Sequence, residues 1–188
     1  MKVSREQMAD NRKRILEAAG RLFREKGFES VSVAEVMKAA GLTHGGFYGH
    51  FRSKDDLIAQ ALTQAYQPAE RSAFDFETFL GGYLSTRHRD NPAKGCPTAG
   101  LAAETRHQGA QARAAMTEGL RQQIARISEA LPSGSAAERR RAAIGSWSAM
   151  VGAVILARSV DDPELSVEVL EQVHAWLADA TRDPSRAP

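Results

Sequence analysis

The sequence predicts an all-α fold, a small N-terminal three-helix domain followed by a larger helical bundle. Three observations support this. Apolar residues recur at i, i+3, i+4 and i+7 along most of the chain, and no stretch of useful length alternates with a period of two. Capping residues and glycine stops also divide the 188 residues into helix-sized pieces. The expected division is 1–52 for the first domain, 53–181 for the bundle and 182–188 for a frayed tail.

Ser4 and Gln7 make a capping box that opens a first helix running to about Lys26, with Gly27 as its stop. Ile15, Ala18, Ala19, Leu22 and Phe23 form its packing stripe, and Arg12, Lys13, Arg14, Arg21 and Arg24 its basic face. Ser32 and Glu35 make a second capping box. Val33, Val36, Met37 and Ala40 carry the second helix to Gly41. Thr43 is then the expected N-cap of a third helix, in which Phe47 and Phe51 sit i, i+4 and face inward while Tyr48 and His50 point elsewhere. Gly45 and Gly46 each cost a helix about 1 kcal/mol relative to Ala, a cost that fits a backbone approached closely by a partner. The amides at that helix start favour a phosphate. Ser53 with Asp56 caps a fourth helix, with Lys54 in its first turn. Two short helices joined by a glycine turn form a helix-turn-helix pattern.

The order Ser-Val-x-x-Val-x-x-Ala-Ala-Gly-Leu-Thr-x-Gly-x-Phe-Tyr-x-His-Phe-x-Ser-Lys-x-x-Leu, residues 32–57, closely resembles the N-terminal domain of the TetR family of bacterial transcriptional regulators. The likeness covers about residues 10–60. It implies a DNA-facing or phosphate-facing set of Ser32, Thr43, His44, Gly45, Gly46, Tyr48, His50 and Lys54, with Lys54 as the phosphate-contacting lysine. Met37 departs from the family's usual small residue. Gly46 and Gly49 replace side chains that often touch DNA, which leaves His44 as the first candidate for base readout.

Charge is unevenly placed. Residues 1–60 hold 11 Lys and Arg against 8 Asp and Glu, while residues 61–188 hold 14 against 15. A weakly basic head on a near-neutral body fits a protein making few DNA contacts per subunit. No apolar run is expected to reach the roughly 20 residues needed to span a membrane, and residues 1–20 are too polar for a signal peptide, so the cytoplasm is the expected compartment. The single cysteine excludes an internal disulfide.

In the body, Phe76, Phe79, Leu80, Tyr83 and Leu84 stripe a helix ending near Arg89. A turn follows, and Pro97 suits the first position of a short helix reaching about Gln108. Gly109 breaks the chain before a helix striped by Met116, Leu120, Ile124, Ile127 and Leu131. The last two helices, about 135–158 and 163–180, carry apolar arcs wider than one face, among small residues. Homodimerisation through them is the economical reading, and the family resemblance implies the same. Two heads related by a twofold axis would read a near-palindromic double-stranded operator.

Cys96, between Gly95 and Pro97, falls at the N-cap of the sixth helix, where the helix dipole favours a thiolate. The segments 95–104 and 113–119 resemble a TetR branch of electrophile-responsive, NemR-type repressors, and that resemblance implies a sensing role for Cys96. An unidentified small-molecule effector is expected near Cys96, with Phe79, Tyr83, Trp147 and Met150 as candidate pocket residues and Arg158 as a candidate support for the thiolate. For Cys96 and the aromatics ordinary packing, and for Arg158 a surface cation, are the plainer alternatives. There is no P-loop, dinucleotide glycine fingerprint, Gly-x-Ser-x-Gly or catalytic carboxylate pair, so no catalytic residue, cofactor or metal is expected. His88, Cys96 and His107 lack a spacing that demands a metal. Two competing readings are an architectural DNA binder without effector input and a ligand-binding helical enzyme.

Overall fold

A computed structural model describes residues 4–67 and 74–182. The described residues form helices α1 (Arg5–Lys26), α2 (Val33–Ala39), α3 (Lys54–Ala65), α4 (Phe76–Tyr83), α5 (Thr86–Arg89), α6 (Pro97–Thr105), α7 (Ala110–Ala130), α8 (Ala136–Ser159) and α9 (Pro163–Arg182). Two short 3₁₀ helices, His44–Gly49 and Pro92–Lys94, lie between α2 and α3 and between α5 and α6. No strand occurs among the described residues, and the expected tail lies outside them from residue 183 onward.

The chain divides into two compact units that are interleaved in sequence: Met1–Pro68 with Pro92–Gly119, and Ala69–Asn91 with Leu120–Pro188. The expected linear boundary at residue 52 follows a different principle, separating the recognition region from everything after it.

The first unit is built around the buried stripe of α1. Ile15, Ala18, Ala19 and Phe23 meet Phe28, Val36 and Met37, with Phe47, Phe51, Leu57, Ile58 and Leu62 closing the core. Leu101 of α6 and Ala112 of α7 join the same core. Each large apolar side chain buried this fully contributes roughly 1.5–3 kcal/mol. The expected capping residues work, but as single bonds. Ser4 Oγ accepts from the Gln7 amide at 3.1 Å while the Gln7 side chain turns to Asn11. Ser32 Oγ accepts from the Glu35 amide at 3.1 Å while the Glu35 carboxylate pairs with Lys26 at 2.7 Å. Gly27 has φ +82°, and a side chain there would collide with the carboxylate of Glu104, which accepts from the Phe28 amide at 2.7 Å.

The second unit contains α4, α5, the C-terminal part of α7, and α8 with α9. The single helix expected to end near Arg89 is two. Leu84 leaves helical geometry, and Ser85 restarts it as an N-cap accepting from the His88 amide at 3.2 Å. The helix after Pro97 stops at Thr105, short of the expected Gln108. Ser135 and Glu138 form a complete capping box for α8. Asp162 caps the first turn of α9 by accepting from the Glu164 and Leu165 amides. One further correction concerns α8, which is long and apolar enough to cross a membrane, contrary to the sequence expectation. It packs instead against α9, burying Trp147, Met150, Ala153 and Val154.

Candidate nucleic-acid interface

The segment after α2 is largely exposed and is anchored from behind by buried Phe47 and Phe51. Its glycines favour neither a long α-helix nor a strand, and the chain makes a single six-residue 3₁₀ helix, His44–Gly49, where a third α-helix was expected. Thr43 precedes it in extended geometry without a side-chain cap bond, so the N-cap expected there is positional only. Phe47 and Phe51 are buried and stack at 5.7 Å between ring centroids. Tyr48 sets its ring edge against Phe47 and is 73% exposed. Inward Phe and outward Tyr on consecutive positions thus fix the segment's orientation.

A Cβ built on Gly45 or Gly49 would meet no atom of the protein within 4 Å. The protein's own packing therefore does not demand glycine at either position. At Gly46 a Cβ would touch the buried Met37 at an ordinary 3.7 Å. Met37 fills the space behind the segment, which gives its departure from the family pattern a packing role.

Ser53 caps α3 by accepting from the Asp56 amide at 3.1 Å, and the Asp56 carboxylate accepts from the Arg52 amide at 3.0 Å. That amide bond is the main reason Asp56 stays well ionised, its pKa held below the usual 3.8. Lys54 is half-buried in the first turn of α3, and Ser32 is exposed at the start of α2. His44 is exposed. His50 is half-buried, and burial, then the charge of Arg12, lower its pKa below 6.5. His50 is therefore neutral at pH 7 and offers hydrogen bonds rather than charge.

Arg12 is a residue whose role sequence reasoning missed, since the sequence places it only on the basic face of α1. Its guanidinium donates to the His50 carbonyl and to the Gln60 side chain and lies 4.5 Å from the centre of the Phe51 ring. Gln60 in turn donates to Asp56 at 2.7 Å. This chain ties the end of the 3₁₀ segment to α1 and α3. Its only sequence signal is a position three residues before Ile15, at the margin of the α1 stripe.

Cys96 is half-buried at the N-cap of α6 and belongs to the first unit. It interacts electrostatically with Arg24 and Tyr66 of that unit. Tyr66 exchanges a hydrogen bond with Thr98 at 2.8 Å, and burial pushes its hydroxyl pKa far upward.

Phe79, Tyr83, Trp147, Met150 and Arg158 belong to the second unit. Tyr83 sits 5.6 Å from Phe79 and 5.2 Å from Trp147 between ring centres, and Met150, one turn after Trp147, is fully buried. Trp147 Nε1 is buried with no acceptor among the described residues. Arg158 donates to the carbonyls of Arg89 at 2.9 Å and His88 at 2.8 Å, closing the C-terminus of α5. A structural cap thus replaces the free surface cation the sequence suggested. No group of three His, Cys, Asp or Glu side chains able to hold a metal occurs among the described residues.

Comparison with known proteins agrees with this geometry. Residues 15–61 match the model for bacterial regulatory proteins of the tetR family. The chain is 30% identical over 139 residues to the HTH-type transcriptional repressor NemR of Escherichia coli strain K12, covering 66% of this chain and 69% of that protein. It is 40% identical over 57 residues to the HTH-type transcriptional regulator AcrR of Shigella flexneri, of which it spans only 26%. The reduced form of E. coli NemR has a similar structure, with 25% identity, coverage of 90% of this chain and 96% of that one, and a TM-score of 0.67. A regulator from Agrobacterium tumefaciens, 20% identical with a TM-score of 0.71, shares the fold. The chain belongs to the TetR family of DNA-binding transcriptional regulators.

Proposed function

We propose that the protein is a cytoplasmic repressor that binds a near-palindromic operator as a homodimer and lets go when Cys96 is modified or a small effector binds. The observation that carries the DNA reading is the exposed Tyr48 and His44 on a segment anchored by buried Phe47 and Phe51. In this reading residues 1–52 form the DNA-reading part, and residues 53–181 the effector and dimerisation part. Ser32, Thr43, Tyr48 and Lys54 hold phosphates, the glycines at 45 and 46 admit the duplex closely, His50 donates or accepts a neutral hydrogen bond, and His44 reads a base edge.

The half-buried thiol at a helix start, beside the Arg24 guanidinium, supports attack by Cys96 on an electrophile. The aromatic group offers a reversible alternative, in which an effector presents an acceptor to the orphaned Trp147 Nε1. Either event acts by moving α3, whose first turn carries Lys54, so that the two recognition segments no longer match half-sites roughly 34–36 Å apart or a multiple of that spacing.

The test is fluorescence anisotropy on duplexes tiling the upstream DNA of its own coding region, before and after a thiol-reactive electrophile. Cys96→Ser serves as the comparison. Binding lost on treatment in the parent and kept in Cys96→Ser is the expected result. Loss in both would remove Cys96 from the mechanism, and no preference for any duplex would leave an architectural binder. Lys54→Gln should weaken every duplex alike and reduce the salt slope by about 1.

A further inference from the structure

We propose that the first unit carries a separate anion site, an open cleft along α1 that takes a small molecule bearing a pyrophosphate or similarly multivalent phosphate group. The cleft has a volume of about 690 Å³ and is walled by α1, the C-terminal turn of α2 and the second half of α3. Five cations line it, Arg14, Arg21, Arg24, Lys38 and Lys94, against the single carboxylate of Glu17.

These cations are of two kinds. Arg14 donates to the Ala40 carbonyl at 2.6 Å, and Arg24 donates through Nε and Nη2 to the Ala93 carbonyl at 3.0 and 2.7 Å. Both guanidinium groups are thereby held in place while keeping other N–H donors, since each has five. Arg21, Lys38 and Lys94 are exposed, and their side chains make no hydrogen bond or ion pair among the described residues. Burial lowers the pKa of Arg24; Cys96 opposes that shift, and the like charge of Arg21 adds to it. Like charges on a convex helix face separate into solvent. Here they converge on a concavity, where an anion relieves their mutual repulsion.

Size and lining define the ligand class. Small-molecule sites span about 300–1,000 Å³, so the cleft exceeds what an inorganic ion needs and suits a phosphorylated metabolite. No aromatic side chain lines it, so recognition rests on charge rather than on stacking of a base. None of Ser32, Thr43, His44, Tyr48 and Lys54 lines the cleft. Phosphate reaches it from one of two sources, a free anion or the backbone of a duplex, and the first is the one proposed.

The test is isothermal titration calorimetry of the full chain with inorganic pyrophosphate and with ATP in chloride buffer at constant ionic strength. Arg21→Gln with Lys94→Gln forms the cleft variant. Arg87→Gln, an exposed cation of the second unit, is the control for loss of charge outside the cleft. The expected result is saturable binding of one anion per chain, at least tenfold weaker in the cleft variant and unchanged in Arg87→Gln. Absence of saturable binding to the parent, or equal weakening in Arg87→Gln, would overturn the site. A second arm measures duplex binding. Affinity retained by the cleft variant, with no competition from pyrophosphate, supports the free anion. Affinity lost together with competition would overturn it and give the cleft to backbone phosphates. The replaced side chains are exposed, so melting temperatures should agree within a few degrees. The calorimetry contains no DNA, and its outcome is independent of the repressor reading.

Discussion

Gly119 shows how one missing side chain can set a packing arrangement. The ring of Tyr66 lies where a Cβ of residue 119 would stand, and the Tyr66 hydroxyl reaches Thr98 and the Met116 sulfur. Gly119→Ala must push that ring away from both partners, and overpacking of this kind costs about 1–3 kcal/mol. Chemical denaturation should show that loss, and adding Tyr66→Leu should recover part of it; simple additivity of the two changes would mean the ring is not the obstacle. His88 makes a different single-residue prediction. Burial, then the charge of Arg158, holds its pKa below 6.5 against the raising effect of its bond to the Tyr83 carbonyl. Between that lowered value and 6.5 the unfolded chain binds a proton that the folded chain does not. Its stabilising contribution is therefore complete above pH 6.5 and declines as pH falls through it. His50 adds a contribution of the same sign, whereas Asp56, lowered from 3.8, acts only in more acid solution. Unfolding free energies measured between about pH 7 and pH 5 should accordingly fall less steeply in His88→Gln than in the parent.

At the scale of elements, the 3₁₀ segment depends on Arg12 for its position. Arg12→Met keeps most of the aliphatic stem and removes the bonds to the His50 carbonyl and Gln60 together with the contact over Phe51. The expected cost is roughly 1–3 kcal/mol in stability, with weaker operator binding. The salt dependence separates positioning from direct contact: a positioning residue leaves the slope of affinity against salt unchanged, and a phosphate contact lowers it by about 1. These elements also show what the sequence makes legible. Helix starts at Ser4, Ser32, Ser53 and Ser135 follow from local bonds between residues three apart, so they can be read directly. Buried Phe47 and outward Tyr48 follow from helical spacing in the same way. The caps supplied by Arg158, Glu104 and Arg12 depend on residues tens of positions apart. No periodicity carries that information. The second halves of the expected capping boxes at Ser4 and Ser32 failed because Asn11 and Lys26 offered the Gln7 and Glu35 side chains alternative partners.

On the scale of the whole molecule, the proposed operator recognition rests on association of two chains, and the last two helices are the surface proposed for it. Ile144, Ile155 and Leu156 of α8 and Leu165 and Trp176 of α9 are large apolar side chains left exposed in the single chain, Leu156 at 57% and Trp176 at 45%. A Cβ at Gly145 or Gly152 of α8 would meet nothing within 4 Å, so a second helix can approach that backbone closely. Single exposed apolar residues are ordinary on protein surfaces, but five on two packed helices support the proposed interface. Leu156→Glu combined with Trp176→Ala should therefore yield a monomer in sedimentation velocity runs. Its melting temperature as a single chain should change little, because neither side chain is packed in the core. Binding to an isolated half-site should match that of the parent, while binding to the full palindrome should drop at least tenfold, because the second half-site is no longer engaged from the same particle. A variant that stays dimeric would place the interface elsewhere. A monomer that keeps full palindrome affinity would separate dimerisation from operator recognition altogether.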